Sequence, residues 1–236
     1  MGKINLVGLE VEGGWDGSPC KRPFATTKII PDHSIDGRTF RSDNPLTCTH
    51  IGEIVSLPMP ALRAATDPWI DTHWPQHANN TCGFHIHTSY ASMKDYAALT
   101  TKHFLTKLVE AIIEKGKTLN LPTTHYLFKR MVGNNPFTMY NFDASNQLRI
   151  KQKSVGDRLR YGMINCSWGL HGTIEFRGYP TFETPALAKK FTNLYLDFIE
   201  DYLEEFSDKF AKVYSATLYI ECGELRFTLR TPKEVV

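Results

Sequence analysis

No stretch of the 236 residues approaches the roughly 18 consecutive apolar side chains of a membrane-spanning helix, and the start MGKINLVGLE lacks the cationic and apolar regions of a signal peptide. Membrane insertion and export are therefore not expected, and a cytoplasmic location is. An excess of either charge is missing as well: 27 Lys+Arg stand against 25 Asp+Glu, a formal net charge of +2. That balance excludes a broadly basic nucleic-acid coat and an acidic tail. Cysteine is scarce: Cys20, Cys48, Cys82, Cys166 and Cys222 are odd in number and scattered, which fits a reducing compartment better than a disulfide framework. The local Cys82-x-x-His85-x-His87 has no second CxxC or HxxxH pair to complete a tetrahedral zinc set. Repeats, low-complexity tracts and linker-like breaks are absent too, so residues 1–236 read as a single domain.

What is present is alternation. From Ile4 to Glu12, Val7, Leu9 and Val11 point one way while Gly8, Glu10 and Glu12 point the other, the pattern of a strand with one apolar face. Turn-rich sequence follows to Thr49, then a second strand over His50–Leu57 and a third over Phe84–Ser89. The spacing of Phe104, Leu105, Leu108, Val109, Ile112 and Ile113 predicts one helix from Ser92 to about Lys115, stopped by Gly116. A short helix over Thr124–Met131, a strand over Thr173–Tyr179 and a long helix capped by Thr184 with Pro185 in its first turn come next. Two short strands, Thr217–Cys222 and Leu225–Leu229, end the chain.

Four of these strands carry ionisable groups on the face opposite their apolar one. Glu10 and Glu12 sit at i and i+2, so their carboxylates share a face roughly 7 Å apart, close enough to want a cation between them. The second strand supplies Glu53, the third His85 and His87, the fourth Glu175 and Arg177. Carboxylates with imidazole and no thiolate pair suit Mg²⁺ or Mn²⁺. An arginine beside them implies an anionic ligand, because guanidinium complements phosphate oxygens in fork geometry. Each element has a plainer reading as a solvated strand face or a cross-strand ion pair. Their conjunction on four strands with well-formed apolar backs favours a metal–nucleotide site.

The segments Gly8-Leu9-Glu10-Val11-Glu12, Gly52 to Pro58, Asn79 to Ser89, and Asn165 followed by Thr173-Ile174-Glu175-Phe176-Arg177 together resemble the ordered signature of the putative amidoligases, members of the glutamine synthetase and glutamate–cysteine ligase superfamily. Cys82, where glutamine synthetase has a small hydroxyl residue, and Leu57-Pro58, where amidoligases often have Ser-Pro-Pro, depart from that signature without removing a ligand. The resemblance implies an α+β fold, with a curved, mostly antiparallel, glutamine synthetase-like catalytic sheet and helices packed on its convex side. It implies Glu10 and Glu12 as ligands of different metal ions, joined by Glu53 on one and by His85 and Glu175 on the other. His87 and Asn165 would lie at the ATP site, Arg177 on its phosphates, and Arg158 or Arg160 would be a further phosphate-binding arginine. Arg177, Glu53 and Arg160 are the residues it places nearest to the reaction.

The activity implied is ATP-dependent ligation of a carboxylate and an amine through an acyl phosphate, with Mg²⁺ or Mn²⁺. Phosphotransfer of the guanidino-kinase type and a non-catalytic nucleotide- or metal-binding module are the alternatives. Partners would be a small-molecule or peptide carboxylate and an amine, with no membrane. The positive stretch from Arg149 to Arg160, including Lys151 and Lys153, reads either as a solvated loop or as a surface for an anionic substrate.

Overall fold

The alternation of the first segment becomes strand β1, Ile4–Trp15, in the computed structural model, which describes residues 3–16, 30–32, 34–35, 50–135, 138–140, 161–167, 172–211, 215–221 and 224–230. Strand β2 (His50–Val55), helix α1 (Arg63–His73), strand β3 (Gly83–Tyr90) and helices α2 (Met93–Leu99), α3 (Lys102–Thr118) and α4 (Tyr126–Met131) follow. Short strands β4 (Asn134–Asn135) and β5 (Thr138–Met139) precede β6 (Ile164–Ser167), β7 (Thr173–Pro180), helix α5 (Pro185–Ala211), β8 (Ser215–Glu221) and β9 (Glu224–Arg230). The result is an α+β fold. Its main sheet has five strands in the order β2-β1-β3-β7-β6, every neighbour antiparallel, while β4–β5 and β8–β9 form separate two-stranded hairpins.

The apolar face of the main sheet lies against helices. Val7, Leu9, Val11, Phe84, Ile86, Ile174 and Phe176 are buried in one cluster with residues of α1, α2, α3 and α5. Along α5, Ala188, Phe191, Tyr195, Leu196, Ile199, Tyr202 and Leu203 recur at helical spacing and face that cluster. Tyr195 stacks on Phe176 at 5.1 Å, and Phe191 stacks on Phe182 at 4.9 Å. Thr184 caps α5 as its position predicts, accepting the Leu187 N–H at 3.2 Å. The start of β1 is tied to the same helix, because Glu200 accepts the N–H groups of Lys3 and Ile4 at 2.6 and 2.8 Å.

Three local readings change. The single helix expected from Ser92 to about Lys115 is two, because the first closes at Thr100 and Thr101 caps the next, its hydroxyl accepting the Phe104 N–H at 3.1 Å. Gly116 does not stop α3; it is buried inside the helix, where an added Cβ would stand 2.9 Å from the Phe128 ring. The stop comes at Asn120, which takes the left-handed conformation (φ 54°). Leu121 N–H then reaches Gly116 C=O at 3.0 Å and Asn120 N–H reaches Lys117 C=O at 2.8 Å, the paired closure that a left-handed residue permits. Helix α1 is the third change: Thr66, Trp69, Ile70 and His73 form a buried face, although Pro68 sits inside it. The expected strand ends move by a few residues, and Cys222 lies outside the described residues.

Candidate metal centre

Strand register carries the ionisable face into one place. Glu12 stands opposite Glu53, Glu10 opposite His85, His87 opposite Glu175, and Asn165 opposite Glu175 from the other side. Between β3 and β7 the ladder is irregular: Phe84 pairs with Tyr179 and Ile86 with Phe176, so His85 alone spans Arg177 and Gly178. This extra residue lets both Phe176 and Tyr179 enter the core, while Glu175 and Arg177 remain with the acids. Gly178 is required there, since a Cβ would lie 2.4 Å from the Phe176 ring and 2.8 Å from Met131.

The side chains converge closely. His85 Nδ1 is 2.6 Å from Glu10 Oε1 and 3.7 Å from Glu175 Oε1, and its Nε2 is 3.8 Å from Glu12 Oε1. His87 Nε2 lies 3.5 Å from Glu10 Oε2 and 3.9 Å from Glu175 Oε1. Among the described residues, two groups can each offer one ligand atom per residue with all such atoms within 4.8 Å of one another: Glu10, His85 and Glu175, and Glu10, Glu12 and Glu53. Glu12 groups with Glu53, and His85 with Glu175, while Glu10 belongs to both groups and so is not kept apart from Glu12. Glu10, Glu12, His85 and Glu175 are all buried. Carboxylates removed from water in this number demand compensating charge, and such arrangements concentrate at functional sites.

Arg177 supplies part of that compensation: its Nη1 donates to Glu175 Oε1 at 2.6 Å. Burial alone would weaken its charge, but Glu175, Glu10 and Glu12 raise its pKa above the usual arginine range. Asn165 donates its amide to the other oxygen of Glu175 at 3.1 Å, which orients that carboxylate. Arg158 and Arg160, with the stretch from Arg149 to Lys153, lie outside the described residues.

One participant was not foreseen. Arg130, on the buried face of α4 between Leu127 and Met131, donates to the carbonyls of Cys82 at 2.9 Å, Tyr179 at 3.0 Å and Arg177 at 3.4 Å. It thereby fixes the start of β3, where the Gly83 N–H donates to Glu12 Oε2. Arg130 is fully buried, and such a cation needs fixed acceptors. Gly83 leaves the room: a Cβ there would be 2.5 Å from His85 Nε2 and 3.2 Å from both Arg130 Nη1 and Glu12 Oε2.

Electrostatics divides the carboxyls. Burial would raise Glu10, but the charges and hydrogen bonds of His85 and His87 hold it well below the usual carboxylate range. Burial raises Glu12, with the neighbouring Glu10 adding to it against His85 and Arg177. Glu53 is pushed up to about 8 by burial and by Glu10, Asp32 and Glu12. Burial also pushes the Cys82 thiol up to about 12, and Cys82 belongs to neither ligand group. Oxygen and imidazole donors without thiolate fit a hard divalent cation such as Mg²⁺ or Mn²⁺.

Neither comparison with models of protein families nor comparison with curated protein sequences finds a match. No helix among the described residues is long and apolar enough to cross a membrane.

Proposed function

We propose that this chain is an ATP-dependent carboxylate–amine ligase that forms an amide bond through an acyl phosphate, using Mg²⁺ or Mn²⁺ held by Glu10, Glu12, Glu53, His85 and Glu175. The observation that carries this reading is the convergence of four separately read motifs on one sheet face, where two ligand groups share Glu10. We read the sheet as the curved catalytic sheet of a glutamine synthetase-like fold, with the helices on its convex side. The resemblance of the motifs supports this.

A carboxylate is a poor electrophile at neutral pH. In such a ligase one of its oxygens attacks the γ-phosphorus of ATP and ADP leaves, and a neutral amine then displaces phosphate from the acyl phosphate, losing a proton as the amide forms. Divalent ions, when bound, offset the charge on the phosphate oxygens. The chain's own groups do the rest of the positioning. Arg177 pairs with phosphoryl oxygens, Asn165 orients Glu175, and the Gly83 N–H orients Glu12. His87, at the edge of the cluster and less buried than His85, would be the residue to meet a bound nucleotide. By the resemblance of the motifs, Arg158 or Arg160 would add a second phosphate contact.

Hydroxylamine trapping tests the reading. Purified protein with ATP, Mg²⁺ or Mn²⁺ and pooled carboxylates is expected to form a hydroxamate, and Glu10→Gln and Arg177→Ala are expected to abolish it. ATP-dependent phosphoryl transfer without hydroxamate would place the chain among phosphotransferases of the guanidino-kinase type. Metal and nucleotide binding without turnover would make it a non-catalytic binding module.

A further inference from the structure

The two buried arginines of the site are held in different ways. Arg130 is locked by three backbone carbonyls, groups for which a metal ion in the carboxylate cluster does not compete, and its guanidinium lies over the Tyr126 ring at 5.5 Å. Arg177 instead donates to the carboxylate of Glu175, one of the three residues of the Glu10–His85–Glu175 group. Its Nη1 reaches into that group, 2.6 Å from Glu175 Oε1 and 3.3 Å from His85 Nδ1.

That position is inside the ligand group itself. His85 Nδ1 lies 2.6 Å from Glu10 Oε1, so Arg177 Nη1 stands beside the atoms that face the centre of that group. Arg177 Nε is buried and has no hydrogen-bond partner among the described residues. The second oxygen of Glu175 is already engaged by Asn165, which leaves Oε1 as the atom that a metal ion and Arg177 would both claim. Two cations cannot occupy one side of a single buried carboxylate without strong repulsion.

We propose that Arg177 is an exchangeable counter-cation of this group: a divalent cation entering at Glu10, His85 and Glu175 displaces the guanidinium from Glu175, and the released guanidinium pairs with an anionic group brought to the metal. This rests on the reading of the cluster as a metal centre. Arginine release then couples the two binding events, because an anion finds its partner only after the cation has arrived. Without the cation, Arg177 keeps the buried acids compensated.

Arginine modification of the wild-type protein by phenylglyoxal, located by peptide mass spectrometry, reads the release directly. Saturating Mn²⁺ is expected to raise the modification rate of Arg177 about tenfold, while Arg130 stays protected with and without Mn²⁺. Arg177 protection that is unchanged when calorimetry shows Mn²⁺ bound to the same sample overturns the proposal. Calorimetry on Arg177→Met is expected to show Mn²⁺ binding about tenfold tighter than wild type, because the competing cation is gone, with Arg177→Lys close to wild type. Equal or weaker binding by a folded Arg177→Met protein also overturns it. Failure of the wild-type chain to bind Mn²⁺ at all sinks the metal centre itself and this proposal with it, a result distinct from binding without release.

Discussion

Glu12 and Glu53 face each other directly across β1 and β2, two carboxylates on one side of a sheet with Glu10 beside them. Burial raises the Glu53 pKa, and the neighbouring Glu10, Asp32 and Glu12 add to it, which brings Glu53 to about 8. Metal binding must expel that proton. At pH 7, Mn²⁺ binding is therefore expected to release about one proton, and affinity to rise with pH until about pH 8. Calorimetry in buffers of different ionisation enthalpy measures the proton count; a count independent of pH between 6 and roughly 9 contradicts the assignment.

The same shift has a stability consequence of opposite sign to that of a salt-bridged acid. A carboxyl raised in the folded state stabilises fully below its unfolded value, near 4.3, and its contribution is lost as pH rises through about 8. Chelator-treated protein should thus lose stability over this window through Glu53. Glu53→Gln should flatten that part of the profile and cost little or no stability, while lowering Mn²⁺ affinity at least about tenfold. Thermal melts with and without Mn²⁺ separate the two effects.

Gly83→Ala tests the close packing beneath the site. Its methyl group would press on His85 Nε2 at 2.5 Å, and rigid neighbours limit relief. A loss of about 1–3 kcal/mol in chemical denaturation is expected, together with a marked loss of Mn²⁺ affinity. Unchanged metal binding would show that His85 and Glu12 need not sit as they do.

Gly116→Ala would stabilise an ordinary exposed helix by up to about 1 kcal/mol. In α3 the expected sign is reversed, because the new Cβ meets Phe128 at 2.9 Å. Asn120→Gly, at the left-handed position that ends the helix, is expected to be neutral or mildly stabilising. Denaturation midpoints of both variants check the pair.

The acid-bearing strand faces were legible because period-2 alternation needs only local sequence: Glu10, Glu12, Glu53, His85 and Glu175 all lie where alternation directs them. Register was not legible, and it is register that puts Glu10 in both ligand groups. The bulge at Arg177–Gly178 was hidden because its cause is the three-dimensional need to bury Phe176 and Tyr179 together. Helix α1 went unread because Pro68 breaks the local signal, although Thr66, Trp69, Ile70 and His73 keep helical spacing. Gly116 misled for a related reason: glycine serves close packing as well as helix ends, and only its neighbour Phe128 distinguishes the two. Arg130 was overlooked because its acceptors are backbone carbonyls of distant strands, which side-chain patterns do not display.

The shared position of Glu10 is the most direct point of attack. Mn²⁺ stoichiometry by calorimetry, supported by electron paramagnetic resonance, is expected to show two ions per wild-type chain, one for each ligand group. Glu53→Gln and Glu175→Gln should each remove one ion selectively, whereas Glu10→Gln should weaken both. Absence of Mn²⁺ binding to the wild-type protein, or a folded Glu10→Gln protein that binds as the wild type does, would contradict the account.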